Sequence, residues 1–482
     1  MLKIYNTLGR ELQEFQPIKK DRVLLYQCGP TVYWTQHIGN MRAAVETDLI
    51  VRSLHYLGYD VTFVRNYTDV GHLTGDNLGD ADSGEDRMEK GAKRENTTPD
   101  EIAKKYIEIF EADVRGLNIV QPDKKPRATQ YVKEMIKMVS ELLKKGFAYE
   151  TSKAVYFDVS KFPHYNDLNR QKLEENREGA GSGHVSDPEK KHQQDFAIWF
   201  FKTGVHKRAL QTWKSPFHSP DVENGEGFPG WHIECSAMIR KLLGKTIDVH
   251  MGGIEHVSVH HTNEIAQSEA ANGTKLADFW LHYEHLTVDG KKMAKSEGTA
   301  FSMAEIKEKG FDPLDLRTMF LQAHYRSKQD FTWKNLEAAR KTRENIVEKI
   351  IHMKQELGRH KVTEKNINDE FQTKFIEALD NDFNVPEAFA LVQEVLKSDL
   401  HMKEKLATIF SFDEVLGLEL HRTSLPKNNV TLTAEVEMLL SERAKARAAK
   451  NWAESDRIRD ELKSKHGLIV SDKPTGQHLE KA

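Results

Sequence analysis

The stretch "DRVLLYQCGPTVYWTQHIGNMRAAVETDLIVRSLHYLG", Asp21 to Gly58, decides the fold. It opens on an apolar run closed by Gly29-Pro30, which reads as a short buried strand. It ends on Met41 to Gly58, where Val45, Leu49, Leu54 and Leu57 recur at helical spacing before a terminal glycine. Between them, His37-Ile38-Gly39-Asn40 forms a turn that presents an imidazole and an amide. "YDVTFVRNYTDV", Tyr59 to Val70, follows as a second strand rich in β-branched and aromatic residues. Strand, helix and strand in ~50 residues make a right-handed crossover and therefore a parallel sheet. The expected class is α/β, with a Rossmann-like parallel-sheet domain. In such a sheet the turn lies at the carboxyl edge, where helix N-termini attract phosphate. His37 and Asn40 add side-chain donors, and Gly39 lets a flat base or a phosphate come close.

Working outward, a helix starts at Thr98-Pro99 with Ile102, Tyr106, Phe110 and Val114 on one face. Another runs from Gln130 to Gly146, and "AVYFDVSKF", Ala154 to Phe162, is a strand. Residues 170–194 are charged and glycine-containing, the composition of a mobile connection. A strand, turn and helix return in "TIDVHMGGIEHVSVHHTNEIAQSEAANG", Thr246 to Gly273. Beyond Trp333 helix follows helix: Leu336 to Leu357, Phe371 to Leu379, and a third from Pro386. A linker rich in Pro, Asn and Thr, His421 to Thr433, precedes a small module built on one basic helix, Ser441 to Gly467. The expected division is a sheet domain over 1–320 with an insertion at about 120–230, a helical bundle over 321–425, and a C-terminal module over 426–482.

Of the 482 residues, 38% are hydrophobic and 30% charged, the balance of a globular protein. No run approaches the ~20 apolar residues that span a bilayer. The opening "MLKIYNTLGRELQEF" lacks the apolar core of a signal peptide, so a cytoplasmic location is expected. Acidic and basic residues nearly cancel, 74 against 70, which gives no overall polyanion-binding signature but allows a local basic face. The only cysteines, Cys28 and Cys235, are far apart, and no disulfide is expected between them.

"KKMAKSEG", Lys291 to Gly298, places Lys292 and Lys295 three apart, before Ser296. From a mobile loop both ammonium groups can converge on one polyphosphate. Together with HIGN, this segment resembles the HIGH and KMSKS signatures of class I aminoacyl-tRNA synthetases. Cys28 closes the first strand, Cys235 lies in "GWHIECSAM", and His260 and Glu264 of "HHTNE" stand at i and i+4 on one helical face. Two thiolates, an imidazole and a carboxylate are a coherent zinc set. "YNTLGRELQEF", "CGPTVY", "FVRNYTDV", "VYFDVSKFP", "LTVDGKKMAKSEG", "HYRS", "ALDNDFNVPEAFA" and "KNWAESDRIRDEL" appear in the order of one family's landmarks. Over nearly its full length the chain resembles the cysteinyl-tRNA synthetases.

That resemblance implies one zinc (Zn2+) per chain on Cys28, Cys235, His260 and Glu264, taking the substrate thiolate as a further ligand. It implies cysteine binding by Cys28, Gly29, Thr68, Trp231 and His250. It implies ATP, with Mg2+, held by Gly39, Gly252, Gly253, Glu255, Lys295 and Ser296, and catalysis by His37, Asn40, Lys292 and Lys295. Arg447, Trp452, Asp456 and Asp472 match residues that read the anticodon. The implied reaction joins L-cysteine to tRNA(Cys) through cysteinyl-adenylate, in a monomer without membrane contact. Asn40, Ala294 and Glu255 depart from the commonest family residues, as does the acidic 71–91 segment. Two rivals stay open: a cysteine ligase acting on an amino sugar, as in mycothiol synthesis, and a non-catalytic tRNA-binding paralogue. The first would lack the C-terminal module and the second would carry damaged ligands or lysines.

Overall fold

The computed structural model describes residues 1–73, 85–170, 187–293, 298–358, 361–423, 433–473 and 476–481. An antiparallel hairpin, β1 (Lys3–Asn6) and β2 (Glu11–Glu14), opens the chain. The predicted crossover follows as β3 (Arg22–Gln27), α1 (Ile38–Tyr56) and β4 (Asp60–Arg65). After α2 (Arg87–Glu95), α3 (Pro99–Gly116) begins as expected, with Pro99 in its first turn and a reciprocal cap between Thr98 and Glu101. Next come α4 (Val132–Lys144) and the strands β5 (Ala148–Glu150), β6 (Ala154–Phe157), β7 (Phe196–Phe201) and β8 (Gly227–Pro229). These four strands pair in sequence order as an antiparallel sheet inserted into the parallel one. The chain returns through α5 (Trp231–Leu242), β9 (Ile247–Gly253), α6 (His260–Asn272) and β10 (Ala277–Tyr283). The parallel sheet has the order β10-β9-β3-β4.

Side-chain alternation along β3 gives the sheet two unlike faces. Val23 and Leu25 pack with Ile50, Val51 and Leu54 of α1. Tyr26 and Cys28 turn the other way, towards Ile233 and Ile239 of α5 and Ala266 of α6. A three-stranded sheet follows: β11 (Leu286–Val288) pairs antiparallel with β12 (Lys291–Lys292) and parallel with β13 (Gln329–Phe331). The short helices α7 (Met303–Glu308) and α8 (Pro313–Phe320) lie between β12 and β13 in the chain.

The bundle consists of α9 (Trp333–Leu357), α10 (Asp369–Asp380), α11 (Val385–Lys397) and α12 (Met402–Leu416). Its core is continuous with that of α1, α3 and α8: Leu49, Phe110 and Phe320 belong to the same cluster as Ile346, Val392 and Phe412. Rings of Phe375 and Phe412 stack at 4.1 Å. The single basic helix expected in the C-terminal module is instead two, α13 (Ala434–Ala448) and α14 (Trp452–His466). Lys450 takes a left-handed backbone, φ 57°, and the Asn451 side chain accepts the Glu454 N–H to start the second helix. With the hairpin β14 (Leu468–Lys473) and β15 (Gly476–Lys481), these helices enclose a separate core of Val436, Leu439, Ile458, Leu462 and Val470. Among the described residues no helix is long and apolar enough to cross a membrane.

A buried ion pair between α1 and α8 also reaches the bundle, through a bond from Arg317 to the Leu416 carbonyl. Arg317 of α8 donates to Asp48 of α1 at 2.5 Å, to the Leu117 carbonyl at 2.9 Å and to the Leu416 carbonyl at 2.7 Å. Asp48 also accepts from Arg52 and from the Val120 N–H. Asp48→Ala strands a buried guanidinium, and the expected loss is about 3–5 kcal/mol. The check is a thermal-unfolding midpoint several degrees lower, with metal content unchanged.

Candidate active site and metal cluster

Cys28 follows the last residue of β3, Cys235 sits in α5, and His260 and Glu264 occupy the first turns of α6. The sheet brings these remote positions together: their donor atoms all lie within 4.8 Å of one another, and all four residues are buried. The Cys28 and Cys235 sulfurs are 3.8 Å apart, Glu264 Oε1 lies 3.6 Å from Cys28 Sγ, and His260 Nε2 lies 2.8 Å from the same oxygen. His260 Nε2 is buried between the Glu264 carboxylate and the thiols, while its Nδ1 contacts His232 Nδ1 at 2.9 Å. The ring is thus held from behind with its outer nitrogen directed at the thiols. Burial opposes ionisation of Glu264, but His250 and His260 hold its carboxyl well below the usual range. Burial likewise opposes charge on His260, yet Glu264 and Cys235 raise its pKa to about 10. The cluster therefore attracts positive charge, and its two sulfurs, imidazole and carboxylate fit a borderline-soft metal ion.

Behind these four residues lies a shell of histidines, of which the sequence reading names only His250. His250 Nε2 meets Glu264 Oε2 at 2.9 Å. His261 Nε2 lies 3.5 Å from Cys28 Sγ, and its Nδ1 contacts His282 Nε2 at 2.7 Å. His282 in turn contacts the Thr7 hydroxyl at 2.8 Å. Cys28, His250, His261 and Glu264 make a second set of convergent donors. Such outer partners fix ring orientation and tune ligand basicity. The doubled histidine in "HHTNE" was the available signal for His261; His232 and His282 carried none.

A cavity of about 500 Å3 opens beside the cluster. Cys28, Gly29 and Trp231 line it, and so do His37, Gly39, Asn40, Glu255 and Lys292. Trp231 stacks on His260 at 4.0 Å and on His72 at 4.2 Å, which fixes its indole as a wall. A Cβ at Gly29 would overlap the Asn66 carbonyl, so only glycine fits. Thr68 and His250 are fully buried: Thr68 accepts from Asn66, and His250 braces Glu264. His37 caps α1, its Nδ1 accepting the Gly39 N–H at 3.1 Å. That bond places the ring proton on Nε2, the nitrogen able to donate to a ligand.

The lysine hairpin is anchored to α1 by Arg42, a residue the motif reading passed over. Its buried guanidinium donates to the carbonyls of Glu284, His285, His324 and Ser327 at 2.7–3.2 Å. The Ile38 N–H also donates to Phe301, so the segments on both sides of the lysine loop are pinned to the start of α1. Lys292 lies exposed on β12. Lys295 and Ser296 lie outside the described residues, as does Ala294. Gly252 packs against His256 and His261, and Gly253 against the Glu255 carboxylate.

In the C-terminal module, Arg443 forks onto Asp472 at 2.7 and 2.8 Å, and Arg447 meets the same carboxylate at 3.1 Å. The Arg447 guanidinium lies 5.4 Å from the ring of Trp452, which is 55% exposed. Asp456 pairs with Arg459 at 2.9 Å. Arg447, Trp452 and Asp472 are thus brought together, with Asp472 holding arginines.

Comparison with known proteins supplies the family. Residues 14–341 match the tRNA synthetases class I (C) catalytic domain, 374–421 the DALR domain, and 429–479 the cysteinyl-tRNA ligase anticodon binding domain. A cysteine--tRNA ligase of Treponema denticola is 39% identical over 495 residues, covering 98% of each chain. Cysteine--tRNA ligase 1 of Burkholderia lata is 42% identical over 480 residues, covering 99% of this chain and 96% of that one. The methionyl-tRNA synthetase of Mycobacterium tuberculosis, solved with methionyl-adenylate, shares the fold with a TM-score of 0.53 at 13% identity, over 82% of this chain and 90% of that one. By its sheet, its thiol–imidazole–carboxylate cluster and these matches, the chain belongs to the cysteine--tRNA ligase family of class I aminoacyl-tRNA synthetases.

Proposed function

We propose that Cys28, Cys235, His260 and Glu264 hold zinc and select the substrate by its thiol, in an enzyme that ligates L-cysteine to tRNA(Cys) through cysteinyl-adenylate. The observation that carries this reading is the convergence of the only two cysteines with His260 and Glu264, on a cavity shared with His37, Asn40 and Lys292. Zinc bound there supplies a soft acceptor for the substrate thiolate, a bond that serine's hydroxyl cannot match. His232 and His250 orient the imidazole and the carboxylate, Gly29 leaves space for the amino acid, and Trp231 walls it off from water.

In activation, an oxygen of the cysteine carboxylate attacks the α-phosphorus of ATP. The bond to the bridging oxygen breaks and pyrophosphate leaves; Mg2+ bound with ATP would offset the phosphate charge. Charge grows on the phosphate oxygens, and the donors placed for it are His37 Nε2–H, the Asn40 amide, Lys292 and Lys295. Gly39, Gly252 and Gly253 admit the nucleotide closely, the Glu255 carboxylate accepts from ribose hydroxyls, and Ser296 adds a donor. In transfer, a hydroxyl of the terminal tRNA ribose attacks the activated carbonyl and AMP leaves. The C-terminal module favours tRNA over an amino sugar as acceptor: Asp472 aligns Arg447 for a base edge or phosphate, Trp452 offers a ring for a splayed base, and Asp456 lies on the same helix. In this reading the enzyme works as a monomer in the cytoplasm.

The purified protein is expected to hold one zinc per chain. Cys235→Ser is expected to lose metal and cysteine-dependent ATP–pyrophosphate exchange together, read by elemental analysis and exchange rate. In cobalt-substituted protein, cysteine should strengthen the sulfur-to-metal charge-transfer band and serine should leave it unchanged. A band indifferent to cysteine would refute thiol selection by the metal. Lys292→Ala should slow adenylate formation by ~100-fold, about 3 kcal/mol, with cysteine affinity retained in a direct titration. Truncation after Thr423 should preserve exchange and cripple charging of tRNA(Cys); full-rate charging by the truncated chain would overturn the anticodon assignment.

A further inference from the structure

Arg65 ends β4 on the α1 face of the sheet, in register with Gln27. Its side chain is only 1% exposed, yet it forms part of the cavity wall with Gln27, Gly29 and Phe110. None of its three nitrogens makes a well-aligned hydrogen bond among the described residues, and the Tyr67 hydroxyl is its near polar neighbour. One carboxylate comes near: Glu111 Oε1, 3.8 Å away, which already accepts from the Tyr67 hydroxyl. The other Glu111 oxygen takes Lys125 at 2.9 Å and faces Arg115 at 3.9 Å. A single carboxylate thus serves three cations. The Phe110 ring supports the guanidinium at 4.9 Å without satisfying an N–H. Arginine has five donor hydrogens and keeps its charge when buried. This stretch of wall therefore offers charge and directed donors to an anion in the cavity.

Two anionic groups enter the cavity in the family's reaction, the amino-acid carboxylate and the ATP phosphates. The phosphate donors sit on α1 and the lysine hairpin. Arg65 instead adjoins the amino-acid end: a Cβ at Gly29 would come within 3.2 Å of Arg65 Cγ, and Gly29 follows the ligand Cys28. In cysteine only Cβ and Cα separate the sulfur from the carboxyl carbon, so a thiol held at the cluster keeps the carboxylate near this strand end.

We propose that Arg65 receives the α-carboxylate of the bound cysteine, holding one oxygen while the other attacks ATP. Thiol and carboxylate are then read from opposite faces of the sheet, and a thiol lacking the acid group is rejected. The proposal rests on the cluster being the thiol site, and the test separates the two claims.

The experiment measures equilibrium binding of radiolabelled cysteine and of cysteamine, which keeps thiol and amine but lacks the carboxylate, to the full-length protein under reducing conditions. The unmodified protein should prefer cysteine by about 10- to 100-fold, as expected for a charge-assisted fork. Arg65→Met should remove most of that preference by weakening cysteine alone, leaving cysteamine within about twofold. Arg65→Lys, which keeps the charge and loses the fork, should fall between and serves if the methionine variant does not fold. Equal weakening of both ligands would reduce Arg65 to a structural role and overturn the proposal. So would an undiminished preference in both variants, or equal affinity for the two ligands in the unmodified protein. If serine binds as tightly as cysteine, the cluster reading fails first and takes this proposal with it.

Discussion

The site depends on the pleat of one strand. Successive side chains of β3 must leave on opposite faces, so Gln27 and Cys28, neighbours in the chain, serve different layers. Cys28 joins Cys235 of α5 and His260 and Glu264 of α6. Gln27 looks under α1, where its amide meets the Ala43 carbonyl and where Arg65 lies. At Gly29 the two layers meet, and the Asn66 carbonyl leaves no room for a side chain. Shifting this strand by one residue would exchange the faces and dismantle both halves of the cavity at once.

The crossover, the capped start of α3 and the His260–Glu264 pair were legible because each is written locally. A period of 3.6, a Thr-Pro pair and an i,i+4 histidine–glutamate spacing are patterns within a few residues. The histidine shell and Arg42 were not, since their partners are backbone carbonyls and ring nitrogens supplied by distant strands. Arg42 makes its point through four carbonyls, and a carbonyl has no letter in the sequence.

One local reading changed for a local reason. The basic run in the C-terminal module contains no proline or glycine before Gly467, so it read as one helix. The break comes from Lys450 in a left-handed conformation followed by Asn451, a good cap whose signal was submerged in the charge pattern. Asp472, matched to base recognition by resemblance, is engaged by Arg443 and Arg447. Its carboxylate holds both guanidinium groups in place.

The separate core of the C-terminal module has a consequence for how the protein ages. The bundle shares its interior with the catalytic layers, whereas the module relies on a few apolar side chains of its own. A core that small is marginal by the scaling of buried surface with size. Damage or mild heating would therefore reach RNA recognition before it reaches amino-acid chemistry.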